Sequence, residues 1–436
     1  MTTAVLVAAA SVPLLAAYVV ACFRNPLRYA LPPYAVLIPF SDLFAIAPGP
    51  FGSVSSLLGV LLGVALLTQL LTTRRGSSHI PVAVPVWLAF LALSGLSIYW
   101  SIAPRDTAED VAILASQVFL FVAIVLTRFD RRTLRRFETA LLVGGLLAVC
   151  YGLVHVFFLG GLPMAEGRAG TPRFGDDLLG ANNQAAALLL PLAIAAARVL
   201  KGVGRERVLH AGAVVLLFGG IIMTGSRGGL LATFVVLATV LWLGVARRSV
   251  KVGLAAAAVV LVTVILIVQP GGFGARQVER EGSSGRTDIW AVAAHACRLY
   301  CLQGAGWGGF PEVYRQELAA VPEARIQERG ATFEPHNIFI LAGVEVGVLG
   351  LVLASLGLWV ALLSAWRLPL SMRAPPVAAV LSTLVSSFFL SNLGYKFFWA
   401  VLAYAAVCET VAAASRRAQG APTARRSLAP VGGDGS

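Results

Sequence analysis

In a chain that is otherwise strongly apolar, three polar positions carry side chains suited to group transfer: His336, Arg227 and Arg286. His336 stands in Pro335-His336-Asn337, directly ahead of a long apolar run, which predicts an imidazole in the first turn of a membrane helix. Water and lipid head groups meet at that level, and a group that titrates near neutrality is suited there to take a proton. Arg227 lies in Thr224-Gly-Ser-Arg-Gly-Gly229, a near-loopless junction between two apolar runs. A guanidinium beside glycine-rich backbone and a new helix N-terminus makes an anion site. Snorkelling of Arg227 to lipid phosphates is an equal reading of the same residues. Arg286, after Ser283-Ser-Gly, opens an amphipathic stretch with Asp288 and Trp290, so a surface ion pair with Asp288 is its plain alternative. Two guanidinium forks on one side of a membrane can hold a diphosphate without a metal, because each oxygen can receive paired N–H donors. The expectation is therefore transfer with neither metal nor cofactor.

A second polar group falls between 168 and 184, with Arg173, Asp176, Asp177, Asn182 and Asn183 ahead of another apolar run. Adjacent carboxylates suggest magnesium, but sequence neighbours rarely point the same way, and a helix cap with asparagines open to sugar hydroxyls is preferred. On an ideal helix Gly343, Gly347 and Gly350 fall within about 40° of His336, so the imidazole is expected to face a close-packed neighbour. Glu345 falls about 180° away and roughly 13 Å deeper, as a buried structural partner. His79, His155 and His210 are assigned to packing. Cys297 and Cys301, one helical turn apart, suit neither a zinc cage nor an easy disulfide and are also assigned to packing.

The elements that must position these groups follow from composition. Apolar residues make up 58% of the chain and charged residues 13%, and apolar runs near 20 residues recur throughout. That composition predicts an all-α, polytopic membrane protein and excludes the soluble classes. Candidate spans are 4–22, 30–48, 53–72, 80–100, 108–127, 137–159, 180–198, 208–224, 229–246, 251–269, 337–363, 374–393 and 397–414. They number thirteen, or twelve if 30–48, weakened by Pro32, Pro33 and Asp42, only re-enters the bilayer. The expected division is N-terminal spans over 1–269, an exported loop over 270–335 with amphipathic helices at Arg286 to Gln303 and Pro311 to Gln327, C-terminal spans over 336–414, and a disordered cytoplasmic tail over 415–436.

The net charge of +13 could suggest nucleic acid, so its placement decides. Arg24 and Arg28, Arg74 and Arg75, the Arg128 to Arg136 cluster, Arg198 to Arg207, Arg247 to Lys251, Arg367 to Arg373 and Arg416 to Arg426 carry 22 of the 34 basic residues. All fall on one side of the alternating spans, which the positive-inside rule makes cytoplasmic. Opposite short loops hold only Arg105, Arg168, Arg173, Arg227 and Lys396, while the long loop sets seven basic against eight acidic residues. The basicity is a topology signal; the expected partners are the bilayer and its lipids, not nucleic acid.

In order along the chain, Ser226-Arg-Gly-Gly-Leu-Leu-Ala232, Ser284-Gly-Arg286, Gly304-Ala-Gly-Trp-Gly-Gly-Phe310 and His336-Asn-Ile-Phe-Ile-Leu-Ala-Gly-Val-Glu-Val-Gly-Val-Leu-Gly350 resemble the O-antigen ligase and polymerase superfamily. The resemblance covers roughly Gly160 to the last span. It implies a membrane glycosyltransferase of the C type, with a lipid-facing cavity closed by an external loop. It further implies a donor glycan on undecaprenyl diphosphate, an acceptor that is a glycan, lipid or protein, and an active site facing the periplasm or cell exterior. His336 matches the family's essential histidine, and Arg227 and Arg286 match the arginines that hold the diphosphate. Arg173 and Asn182 fit loosely, since the family's Pro-Asn step is Ala181-Asn182 here, and Asn337 stands beside the histidine as a further substrate contact. Polymerase chemistry on lipid-linked repeats shares these motifs. A transporter or flippase is the alternative of another class, but its polar site should lie at the bilayer midplane, and here the polar groups gather at one interface.

Overall fold

The computed structural model describes residues 2–41, 43–46, 51–73, 76–77, 79–162, 173–244, 286–322, 324 and 333–420. The candidate span 251–269, residues 283–285 ahead of Arg286, and residues 421–436 lie outside them. The protein is an all-α, polytopic membrane protein, and eight helices among the described residues are long and apolar enough to cross a bilayer. A helix satisfies its own backbone in lipid, which is why apolar runs of this length take that form. In chain order the helices are α1 Thr2–Arg24, α2 Pro26–Tyr29, α3 Leu31–Leu37, α4 Val54–Thr73, α5 Ala83–Leu96, α6 Pro104–Leu126, α7 Arg131–Phe158, α8 Ala181–Ala187, α9 Leu189–Lys201, α10 Gly204–Met223, α11 Arg227–Gly244, α12 Arg286–Tyr300, α13 Phe310–Glu317, α14 Ile338–Trp366, α15 Leu370–Ser387 and α16 Lys396–Gly420.

Four expectations change. The second candidate span, 30–48, is not one crossing helix. Pro32 and Pro33 lie at the start of α3, and a 3₁₀ turn, Ile38–Phe40, follows it. The ten residues from Leu31 to Phe40 reach about 15 Å at most, half a hydrocarbon thickness. They pack inside the bundle on α7, where a Cβ on Gly144 would lie 2.6 Å from the Val36 carbonyl oxygen. The amphipathic stretches are also shorter than expected: α12 stops at Tyr300, and α13 ends at Glu317 in a 3₁₀ turn to Ala320. Cys297 and Cys301, expected only to pack, form a disulfide across the end of α12. Departure from the helix at Tyr300 frees Cys301 to reach back one turn, which an uninterrupted helix to Gln303 would prevent. At the C-terminus α16 continues beyond 414 to Gly420.

The two ends of the bundle are chemically distinct. At one end, the Arg198 guanidinium lies 2.9 Å from the Glu138 carboxylate, and the Tyr404 hydroxyl donates to the same carboxylate at 2.8 Å. Lys201 donates to the Ser371 carbonyl, and His79 Nε2 lies 2.8 Å from Glu409 Oε1. These contacts gather the basic loops after α6, α9 and α14. At the opposite end, Lys396 Nζ donates to Ser55 and Ser56 at 2.7 and 2.9 Å, and the backbone N–H of Ile102 donates to the Ala305 carbonyl at 3.0 Å. The polar residues singled out for chemistry are at this second end. Helix α15 packs against α9, α11, α14 and α16, so its C-terminus lies among the elements that carry them.

Candidate active site

A small, partly open cleft lies where four elements meet. Asn182 and Ala186 of α8 line it, with Ser226, Gly228 and Gly229 from the α10–α11 junction, Arg286 of α12, and Ser386, Phe389 and Leu390 at the end of α15. The junction turns within a few residues because Gly225 takes φ 59°, a conformation that disfavours a side chain. Ser226 caps α11, its Oγ accepting the Gly229 N–H at 3.2 Å. Its own N–H donates to Thr224 Oγ1 at 3.2 Å. Gly228 has no room for a larger residue, since an added Cβ would meet the Phe389 ring at 3.0 to 3.1 Å.

Arg173 holds the two sides of this cleft together. Its Nε donates to the Thr224 carbonyl at 2.7 Å, and its Nη2 donates to Asn182 Oδ1 at 3.1 Å. Asp176 and Asp177 diverge. Asp176 accepts the Arg173 N–H at 3.1 Å and the Ala181 N–H at 3.4 Å, which caps the entry to α8. Asp177 accepts the Tyr151 hydroxyl at 2.5 Å. Among the described residues no cluster of three His, Cys, Asp or Glu has the geometry to hold a metal.

Arg286 is the first residue of α12, and its guanidinium lies 5.9 Å from the centre of the Phe389 ring. Among the described residues no carboxylate pairs with it, so the surface ion pair with Asp288 is not formed. Burial pushes its pKa down from the ordinary guanidinium range, which is the cost of lost water with no anion in return. An arginine stays charged under such a shift. Arg227 occupies a different position: it is exposed at the start of α11, beside Gly228 at the cleft rim, and its side chain does not share the lining with Arg286.

His336 lies ahead of α14, not in its first turn. Its backbone is in the left-handed region at φ 48°, which places the imidazole off the helical path and breaks the expected alignment with Gly343, Gly347 and Gly350. Both neighbours are anchored. The Pro335 carbonyl accepts Trp290 Nε1–H at 2.8 Å, one helical turn along α12 from Arg286. Asn337 caps α14, its Oδ1 accepting the N–H groups of Phe339 and Ile340 at 2.9 and 3.1 Å. Its Nδ2 donates to the Phe388 carbonyl at 3.3 Å, next to Phe389. The half-buried His336 is thus fixed between α12 and the end of α15, the two elements that bring Arg286 and Phe389 to the cleft.

The glycine face of α14 receives the turn after α12 instead of the imidazole: a Cβ on Gly347 would lie 2.7 Å from the Leu302 carbonyl oxygen. Glu345 is buried, as expected, but its depth is not. Its partners Gly308 and Phe310 belong to a turn bonded to Ser97 and Ile102, at the ends of α5 and α6. The kink at Gly347 shortens the crossing part of α14 and leaves Glu345 near the bundle's end. Phe389, Ser386 and the Trp290 to Pro335 bond were not foreseen. Only Trp290 had a local signal, an indole beside Arg286 in an amphipathic helix. His155 packs against Tyr151 with the rings tilted and 4.6 Å apart, and His210 Nδ1 meets the Glu206 carbonyl at 2.7 Å, both outside the cleft lining.

Residues 212–355, about a third of the chain, match a protein-family model described as O-antigen ligase. The matched stretch holds the Ser226 to Gly229 junction, Arg286, the 304–310 turn, His336 and the first part of α14, and it supports the resemblance to the O-antigen ligase and polymerase superfamily. Arg173 and Asn182 lie outside it. No curated protein matches the chain.

Proposed function

We propose that the protein transfers a glycan from undecaprenyl diphosphate to an acceptor hydroxyl on the outer face of the cytoplasmic membrane, by inversion and without a metal. The observation that carries this reading is Arg286: a partly buried guanidinium, paired with no carboxylate among the described residues, at a cleft that Asn182, Ser226, Ser386 and glycine backbone line together with the apolar Ala186, Phe389 and Leu390. A guanidinium so placed can pair with an anion, and the family match supports a lipid-linked glycan as the class of substrate.

In this mechanism Arg286 holds the diphosphate from the α12 side while Arg227 approaches from the rim, and the α11 N-terminus adds its partial positive charge. Asn182 orients the donor, fixed by Arg173, and Asn337 holds the segment that bears the base. The acceptor oxygen attacks the anomeric carbon as the bond from that carbon to the diphosphate oxygen breaks. The electron pair leaves with the diphosphate, where the guanidinium charges stabilise it. The acceptor proton passes to the imidazole of His336, whose neutral form can accept it.

The decisive experiment supplies purified protein with a defined lipid-diphosphate-linked glycan, with and without an acceptor bearing free hydroxyls. Transfer to the added acceptor is the expected result, with activity retained in chelator. Lengthening of the glycan on its own lipid, without acceptor, assigns polymerase chemistry to the same site. Uptake or translocation without any glycosidic bond formed overturns the enzyme reading in favour of a flippase.

A further inference from the structure

Helix α14 is two helices in series. Its first nine residues, Ile338 to Val346, are buried except for the half-buried Phe339 and Ile340, and at Gly347 the backbone turns to φ 80°, so that the residues from Val348 onward carry the crossing. A break of this kind leaves carbonyls one turn earlier without helical partners. The turn after α12 supplies them: the N–H groups of Ala305 and Gly306 donate to the carbonyls of Val344 and Glu345 at 2.8 and 2.9 Å. The Glu345 side chain completes the clasp, with Oε2 accepting the Gly308 N–H at 2.9 Å and Oε1 the Phe310 N–H at 3.0 Å. Gly304, Gly306 and Gly308 all have positive φ, which turns these N–H groups toward α14.

The same turn is fastened to the bundle. The Trp307 N–H donates to Ser97 Oγ at 3.0 Å, and the Trp307 ring meets Phe90 edge to face at 5.6 Å. Helix α12 and the first part of α14 therefore form two rails that pack side by side. One rung joins them near the cleft, Trp290 to Pro335, and the other joins them at the far end, Glu345 to the 304–310 turn. Arg286 stands at the cleft end of one rail and His336 at the cleft end of the other. We infer that Glu345 is a positioning residue for transfer, which sets His336 relative to Arg286 by holding the two rails in register.

This inference rests on the reading of His336 as the base, and the test separates the two. Glu345→Gln keeps the size of the side chain but offers one acceptor where two N–H donors converge, so one donor faces an amide NH₂. In full-length purified protein with a lipid-diphosphate-linked glycan as probe, E345Q should lose about 10-fold to 100-fold in single-turnover rate, as a displacement near 1 Å can cause. Donor binding should stay within about threefold, since Arg286 remains in place. In a His336→Gln background, the same Glu345 change should cost no more than about twofold, because the group it positions is gone. A wild-type rate in E345Q, an equal loss of binding and rate, or an undiminished loss in the H336Q background each overturns the inference. If E345Q is not recovered folded, Glu345→Asp, one methylene too short to reach both donors, is held to the same criteria. An active H336Q enzyme refutes the base itself, whereas an inactive H336Q beside an active E345Q refutes only the role of Glu345.

Discussion

Arg286 has given up hydration without gaining a carboxylate among the described residues, and a protein bears that cost readily where a ligand will supply the missing charge. Arg286→Ala should weaken donor binding at least tenfold, as measured by isothermal titration with a lipid-linked diphosphate. Arg286→Lys should rescue poorly, because a lysine lacks the paired fork and stacks less well on Phe389. Normal binding by the lysine variant refutes the clamp. His336 calls for the opposite signature. His336→Ala and His336→Gln should bind donor and lose roughly 10²-fold to 10⁴-fold in transfer rate, as expected for removal of a general base. In the wild-type enzyme the rate should fall as pH is lowered through the imidazole titration, since an imidazolium cannot accept the acceptor proton. Near-normal turnover of H336Q across that range moves the base elsewhere, first to Glu334, two residues earlier. At this scale the sequence was informative because few polar groups survive in so apolar a chain, and each of these three stood at a junction. What it could not convey was that Arg286 lines the cleft while Arg227 stands exposed at its rim, because that depends on where α12 docks.

Whole elements were legible where a single apolar run made a single helix, and illegible where backbone geometry intervened. Glu345 was expected inside one straight span, about 13 Å below His336, but a helical wheel does not foresee the break at Gly347, and Glu345 instead bonds the 304–310 turn at the end of the bundle. The sequence left 30–48 open between a span and a re-entrant segment because composition does not report depth. The packing of the insert from Leu31 to Phe40 makes a clean prediction. Gly144→Ala would drive a methyl into the Val36 backbone, which cannot yield as a side chain can, and should destabilise the purified protein by about 1–3 kcal/mol. Gly212→Ala, on the neighbouring α10 with nothing within 4 Å, should be neutral or slightly stabilising in the same thermal melt. Equal melting of the two variants removes the insert from the bundle. Arg173 gives a second test at this scale, since it joins α8 to the α10–α11 junction through two hydrogen bonds. Arg173→Gln, which cannot span both acceptors, should cost on the order of 2 kcal/mol and weaken donor binding as the cleft loosens. Loss of binding without loss of stability shows instead that Arg173 touches the donor directly.

Across the molecule, what the cleft can act on depends on which face of the membrane it meets. The contacts of Arg198 with Glu138, of Lys201 with Ser371 and of His79 with Glu409 collect the arginine-rich loops at one end of the bundle. The cleft, the 304–310 turn and Lys396 are at the other. Short basic loops stay on the cytoplasmic side, so the cleft is expected to face outward, where a glycan assembled on its lipid carrier would be presented. Cysteine labelling in intact cells tests this, in a background where the exposed Cys150 is replaced by serine. Thr133→Cys, in the first turn of α7, should resist an impermeant maleimide until the membrane is opened, while Gln316→Cys, exposed on α13, should react at once. The reverse pattern places the cleft in the cytoplasm and removes the exported acceptor. Reaction at both positions in sealed cells contradicts the separation of the two ends, and with it the use of the charge distribution to orient the protein.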